Sequence, residues 1–232
     1  MLAALAVGLA LAAQPLAGKT IAIDPGHNGG NYRHAAAIGR LVDAGTLRKP
    51  CDTTGTATDD RYTEAAYNFD VALRLARILR ADGARVVLTR ATNTGWGPCI
   101  TERAAIGNRA HADAAISIHA DGGPVGERGF HVVYPPPIPH LTDDIAAASK
   151  RLALSVRAAF AAGTGEPYAT YVGRDGLDVR SDLGGLNLSD VPKVFVETGN
   201  MRNAVDARRL ESGAYREREA EALARGLAVF MR

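Results

Sequence analysis

Two histidines and two glutamates occupy positions where a sheet edge could gather them. The run IAIDPGH ends at His27, ISIH ends at His119 and VFVE ends at Glu197. Each is a short apolar run, read as a buried strand, with a polar group at its carboxyl end. In open α/β sheets, reactive groups collect just beyond those ends. Parallel neighbouring strands would therefore bring two imidazoles and a carboxylate together. Glu64 approaches from another direction, in the first turn of a helix expected over 63–82, where the helix dipole favours a carboxylate. Two neutral imidazoles and one carboxylate make a catalytic zinc site with a fourth position left open. A second carboxylate within hydrogen-bond reach of a water there would take its proton. The implied chemistry is metal-assisted hydrolysis. These ligands match no local zinc motif such as HExxH. Each residue also has a purely structural reading: His27 as a turn cap, His119 as a buried imidazole on a carbonyl, Glu64 as a helix-end charge, Glu197 as half an ion pair.

Other residues bear on the same site. A ligating histidine usually donates its remaining N–H to a carboxylate or carbonyl. Asp24 is the candidate for that contact, or else a turn former ahead of Pro25 and Gly26. Trp96, in a glycine-containing loop, stacks on sugar or packs beneath a neighbouring disulfide. His34 and His111 are expected at the surface. His131 alternates with Phe130 and Val132 and is expected to face solvent.

The elements that must position these groups alternate. Strands are expected at 20–24, 85–89, 114–119, 129–134 and 193–197, with helices at 63–82, 101–110, 142–162 and 213–231. On the first helix Phe69, Ala72, Leu73, Ala76 and Leu79 repeat at helical spacing. Stretches 28–62 and 163–190 read as long loops, and long loops in compact domains tend to be functional. Prolines at 135–137 and 139 stop the sheet. The alternation implies an α/β class, a single domain whose sheet is covered by helices on both faces.

Composition sets bounds. The chain has 232 residues, 47% hydrophobic and 22% charged, with a formal net charge of +2. That is globular usage, long enough for one sizeable core. The scattered cations argue against a nucleic-acid partner. Residues 2–13 are almost wholly apolar and are followed by small residues. The run is too short to span a bilayer and matches a secretory signal, although no Lys or Arg follows Met1. A signal peptide is therefore expected over 1–17, with 18–232 as the catalytic domain, free of stable membrane insertion. Cys51 and Cys99, an even pair in an exported chain, suggest a disulfide. Closing that long loop is worth roughly 4 kcal/mol in the chain-entropy model.

Four blocks resemble the zinc-dependent N-acetylmuramoyl-L-alanine amidases, a family of cell-wall hydrolases. The run IDPGHNGG at 23–30 is similar to the family's strand and DPGHGG turn. Glu64 with Asn68 resembles its E-x-x-x-N helix start. Arg103, Ile106, Asn108, Ala112, Asp113 and the SIHA run at 117–120 resemble its central block. Pro192, Glu197, Gly199, Asn203, Asp206 and Leu210 resemble its last block. The blocks fall in the family's order, and the resemblance covers nearly all of 19–232. The resemblance implies a mixed, mostly parallel central sheet flanked by helices. It implies Zn2+ held by His27, Glu64 and His119, with Glu197 as catalytic base. It also implies a peptidoglycan or muropeptide substrate, met as a secreted monomer in the periplasm or cell-wall space. The bond cut would be the amide between the lactyl group of N-acetylmuramic acid and L-alanine. Asn200 stands where the family usually has Phe. Two alternatives remain: a zinc peptidase acting on another wall bond, and a non-catalytic wall-binding protein.

Overall fold

A computed structural model describes residues 14–232. The apolar run 2–13, read as a signal, lies outside the described residues. Leu16, which the sequence assigns to that signal, is fully buried in the core, and its N–H donates to the Asp82 carbonyl.

Chain order gives β1 (Thr20–Pro25), α1 (Ala35–Gly39), β2 (Leu41–Asp43), β3 (Arg48–Pro50), α2 (Glu64–Ala81), β4 (Arg85–Leu88), α3 (Ile100–Arg109) and β5 (Ala114–Asp121). Then follow β6 (His131–Tyr134), α4 (Ala146–Thr164), β7 (Leu177–Val179), α5 (Gly184–Asn187), β8 (Lys193–Asn200), α6 (Ala204–Glu211) and α7 (Gly213–Phe230). The main sheet has six strands in the order β4-β1-β5-β8-β6-β7. Strands β4, β1, β5 and β8 pair in parallel, while β6 pairs antiparallel with β8 and parallel with β7. The expected mixed, mostly parallel sheet is thus present. Both long loops carry more structure than their composition suggests. The first contains α1 and the β2–β3 hairpin, and the second contains β7 and α5.

Strand alternation divides the sheet into two chemically different faces. Ile21, Ile23, Ile116, Ile118, Val194 and Val196 belong to the main core with α2, α4 and α7. The intervening residues Asp24, Ser117, His119, Lys193, Phe195 and Glu197 therefore share the opposite face, on the side of α3 and α5. Every ionisable group that matters below leaves the sheet from that face.

Helix α2 aims one of them. Its buried stripe runs through Glu64, Asn68, Val71, Leu75 and Leu79. Of the residues whose spacing marked the helix, Ala72, Ala76 and Leu79 are fully buried, while Leu73 is 44% exposed. The buried face is thus broad, and Leu73 falls just outside it. Thr63 caps the helix by accepting from the Ala66 N–H. Thr63→Ala should cost about 1 kcal/mol and lower Tm by about 2–4 °C, a shift readable by calorimetry on the metal-free protein.

Cys51 and Cys99 form a disulfide, with Cα atoms 4.4 Å apart. The bridge ties the loop after β3 to the residue preceding α3. His131 departs from expectation. It is 2% exposed, because β6 lies inside the sheet between β8 and β7 and Tyr171 packs edge-on against its ring. Burial lowers its pKa.

Candidate metal centre and active site

β1 ends in a turn that brings His27 back over the strand ends. The turn works only because residue 26 is glycine: a Cβ there would lie 2.1 Å from His119 Cε1. His27 itself sits at φ 56°, in the left-handed region, a strained conformation for a non-glycine residue and one that clusters at functional sites. Arg90 and Arg103 hold the turn from beneath. Arg90 donates to the carbonyls of Pro25, Gly26 and Ala65, and Arg103 to those of Pro25 and His27.

The three expected ligands meet. Glu64 Oε2 lies 3.2 Å from His27 Nε2, and its Oε1 lies 2.8 Å from His119 Nδ1. One ligand atom from each residue falls within 4.8 Å of the others. Glu64 is almost fully buried and receives the Thr56 N–H at 2.9 Å. Asn68 donates to both Glu64 Oε1 and the Gly26 carbonyl, linking the helix start to the turn. Phe195 stacks on the His119 ring at 5.2 Å.

Glu197 pairs directly with His119 across β5 and β8, on the same face. It lines a cleft of about 300 Å³ together with His27, Glu64, His119, Asp121 and Arg180. Burial pushes its carboxyl well above the usual carboxylate range, and the Glu64 and Asp121 charges push it further. Burial lowers the His27 pKa, but Glu64 and Asp52 outweigh that and hold it at about 10. Two buried carboxylates around two imidazoles thus favour a positive charge at this point. A divalent cation is one way to supply it, and the donor set of two imidazole nitrogens and a carboxylate fits zinc.

Of the two readings of Asp24, contact with a ligating histidine is not made. None of its hydrogen bonds reaches an imidazole. Its carboxylate accepts from Thr89 at 2.6 Å, Arg103 at 2.9 Å and Ser117 at 2.9 Å, with Lys193 Nζ at 3.4 Å. It reaches the site indirectly, through Arg103, which donates to the His27 carbonyl. The groups at His27 Nδ1 are the Thr53 carbonyl at 3.0 Å, the Thr53 hydroxyl at 3.2 Å and the Asp52 carboxylate at 3.4 Å. Neither residue stood out in the sequence. The signal that could have found them is Cys51, which pins that loop segment. Trp96 is 45% exposed and stacks on His34 rather than packing under the disulfide. Asn200 is fully buried, and its amide donates to the carbonyls of Pro124 and Glu127. It fastens a loop and does not line the cleft.

Comparison with known proteins gives the same reading of the chain. Residues 21–229 match the family described as N-acetylmuramoyl-L-alanine amidase. The chain is 43% identical over 217 residues to the N-acetylmuramoyl-L-alanine amidase Rv3717 of Mycobacterium tuberculosis, covering 93% of this chain and 88% of that protein. The crystal structure of the amidase Ami1 from Mycobacterium smegmatis superposes with a TM-score of 0.87 at 44% identity, covering 93% of this chain and 98% of that one. Ami1 from Mycobacterium abscessus, in its apo form, gives 0.87 at 41% identity, covering 93% and 100%. With the match spanning nearly the whole sheet and its strand ends, this chain belongs to the N-acetylmuramoyl-L-alanine amidase family.

Proposed function

We propose that this chain hydrolyses the amide between the lactyl group of N-acetylmuramic acid and the L-alanine of the stem peptide. His27, Glu64 and His119 would hold a zinc ion, and Glu197 would be the general base. The observation that carries this reading is the convergence of Glu64 on both imidazoles beside Glu197 in one cleft. When bound, zinc supplies Lewis-acid activation of water and of the amide carbonyl.

The chain's own groups do the rest. The Thr53 carbonyl can only accept, so His27 Nδ1 carries the proton and Nε2 is left free as a ligand atom. Glu197, raised by burial, takes a proton from the attacking water and returns it to the departing L-alanine nitrogen. The C–N bond breaks, leaving a lactyl carboxylate on the sugar and a free amine on the stem. Phe195 and Leu183 form the apolar wall of the cleft beside these groups. We place this reaction outside the membrane, in the wall space, and treat the enzyme as a secreted monomer. The apolar N-terminal run and the disulfide support export. No helix among the described residues is long and apolar enough to cross a membrane.

Mass spectrometry of muropeptides incubated with zinc-loaded protein tests the proposal. Free stems beginning at L-alanine are the expected product. Cleavage within the stem would make the protein a peptidase, and binding to wall material without any release would make it a binding protein.

A further inference from the structure

A metal ligand needs its ring fixed as well as its nitrogen exposed, and outer partners of ligating histidines commonly do this. The partner of His27 comes from neither β1 nor the sheet. It comes from the loop between β3 and α2. Asp52 is 6% exposed. Its Oδ1 lies 3.4 Å from His27 Nδ1, and its Oδ2 accepts from Arg103 Nη2 at 3.0 Å. The same Nη2 donates to the His27 carbonyl at 2.8 Å. The Asp52–Arg103 pair therefore braces both the backbone of His27 and, beside the Thr53 carbonyl at 3.0 Å, its ring. This matters because His27 lies in a strained region of backbone space and would relax without restraint.

The loop bearing Asp52 is itself tied down. The Asp52 N–H donates to the Ile38 carbonyl at 3.1 Å, and the Cys51 carbonyl accepts from the Ile100 N–H at 2.8 Å. Cys51 is bonded to Cys99, one residue ahead of the helix that carries Arg103. Acceptor and donor of the Asp52–Arg103 pair thus sit on two segments joined by the bridge.

We infer that Asp52 is a positioning residue whose carboxylate fixes the His27 ring so that Nε2 faces the metal. The inference rests on the zinc reading above. Asp52 makes no contact with substrate in this scheme and takes no part in proton transfer, so its effect should appear in metal affinity.

Zinc dissociation constants from competition with a chromophoric chelator provide the test, beside the Tm of each metal-free protein. Asp52→Ala should bind zinc about 10–100-fold more weakly than wild type. Asp52→Asn keeps an oxygen acceptor for the Nδ1 proton but loses the charge, so it should fall between the two. If both variants bind zinc as tightly as wild type while only the metal-free Tm drops, Asp52 merely neutralises Arg103 and the inference is overturned. Wild-type protein that takes up no zinc overturns the zinc reading and this inference together.

Discussion

Glu197→Gln should lower kcat for stem release by about 10²–10⁴-fold, the usual contribution of a positioned acid or base, while zinc content stays at the wild-type level. The amide is isosteric with the carboxylate, so the cleft and the neighbouring strands keep their shape. What disappears is the ability to accept and return a proton. Burial and the neighbouring Glu64 and Asp121 carboxylates raise this group above the usual carboxylate range. His119→Ala provides the contrast, since it removes a ligand atom and should lose metal and activity together. Muropeptide digestion followed by mass spectrometry gives the rate, and elemental analysis of the dialysed protein gives the metal. A Glu197→Gln protein lacking zinc would move Glu197 into the ligand set. Full activity would remove it from the mechanism.

The second large effect lies beneath the site. Asp24 is 2% exposed and Lys193 is 2% exposed, and Arg103 completes the buried cluster. Asp24→Ala strands Lys193 in the interior and leaves Arg103 with Asp52 as its one carboxylate, and should cost about 3–5 kcal/mol. For a domain of this size that corresponds to a fall in Tm of about 6–20 °C. The same carboxylate predicts an acid dependence. Burial alone would raise its pKa, but the Lys193 and Arg103 charges outweigh burial and hold it far below the usual range. The unfolded chain therefore takes up the proton first as pH falls. The stabilisation is complete above the unfolded pKa, about 3.9, and is lost progressively below it. Melting curves between pH 7 and pH 3 should show this loss in the wild type and a smaller one in Asp24→Ala. Equal acid sensitivity in the two proteins would assign the effect to other carboxylates.

His27, His119 and Glu197 were legible because each closes a short apolar run, and strand ends in a parallel sheet have a common address. The same logic found Glu64 from its place in a helix's first turn. Asp52 was hidden because its role depends on a loop path that no periodicity encodes. Only the disulfide, which brings residues 51 and 99 together, makes that path definite. Asp24 was misread for a related reason. Proximity in sequence to His27 suggested contact, yet its side chain leaves β1 toward Ser117 and Lys193. His131 shows the limit of alternation. A period of two separates the faces of a strand but does not say which faces are covered, and here both are. On α2 the helical spacing placed Ala72, Ala76 and Leu79 in the core and missed only that Leu73 lies at its exposed margin.

The two-faced sheet has a consequence for how preparations of this protein should be judged. In β5, Ile116 and Ile118 face the core while Ser117 and His119 share the opposite face, from which His119 lines the cleft. A slip of one residue against β1 or β8 would exchange every such pair, sending the imidazole into hydrocarbon and an isoleucine toward the metal. A slipped molecule therefore has no third ligand. Under the zinc reading, metal stoichiometry does more than report loading: it counts the molecules whose central strand has found its correct alignment, and a fractional value at saturating zinc measures the misaligned share.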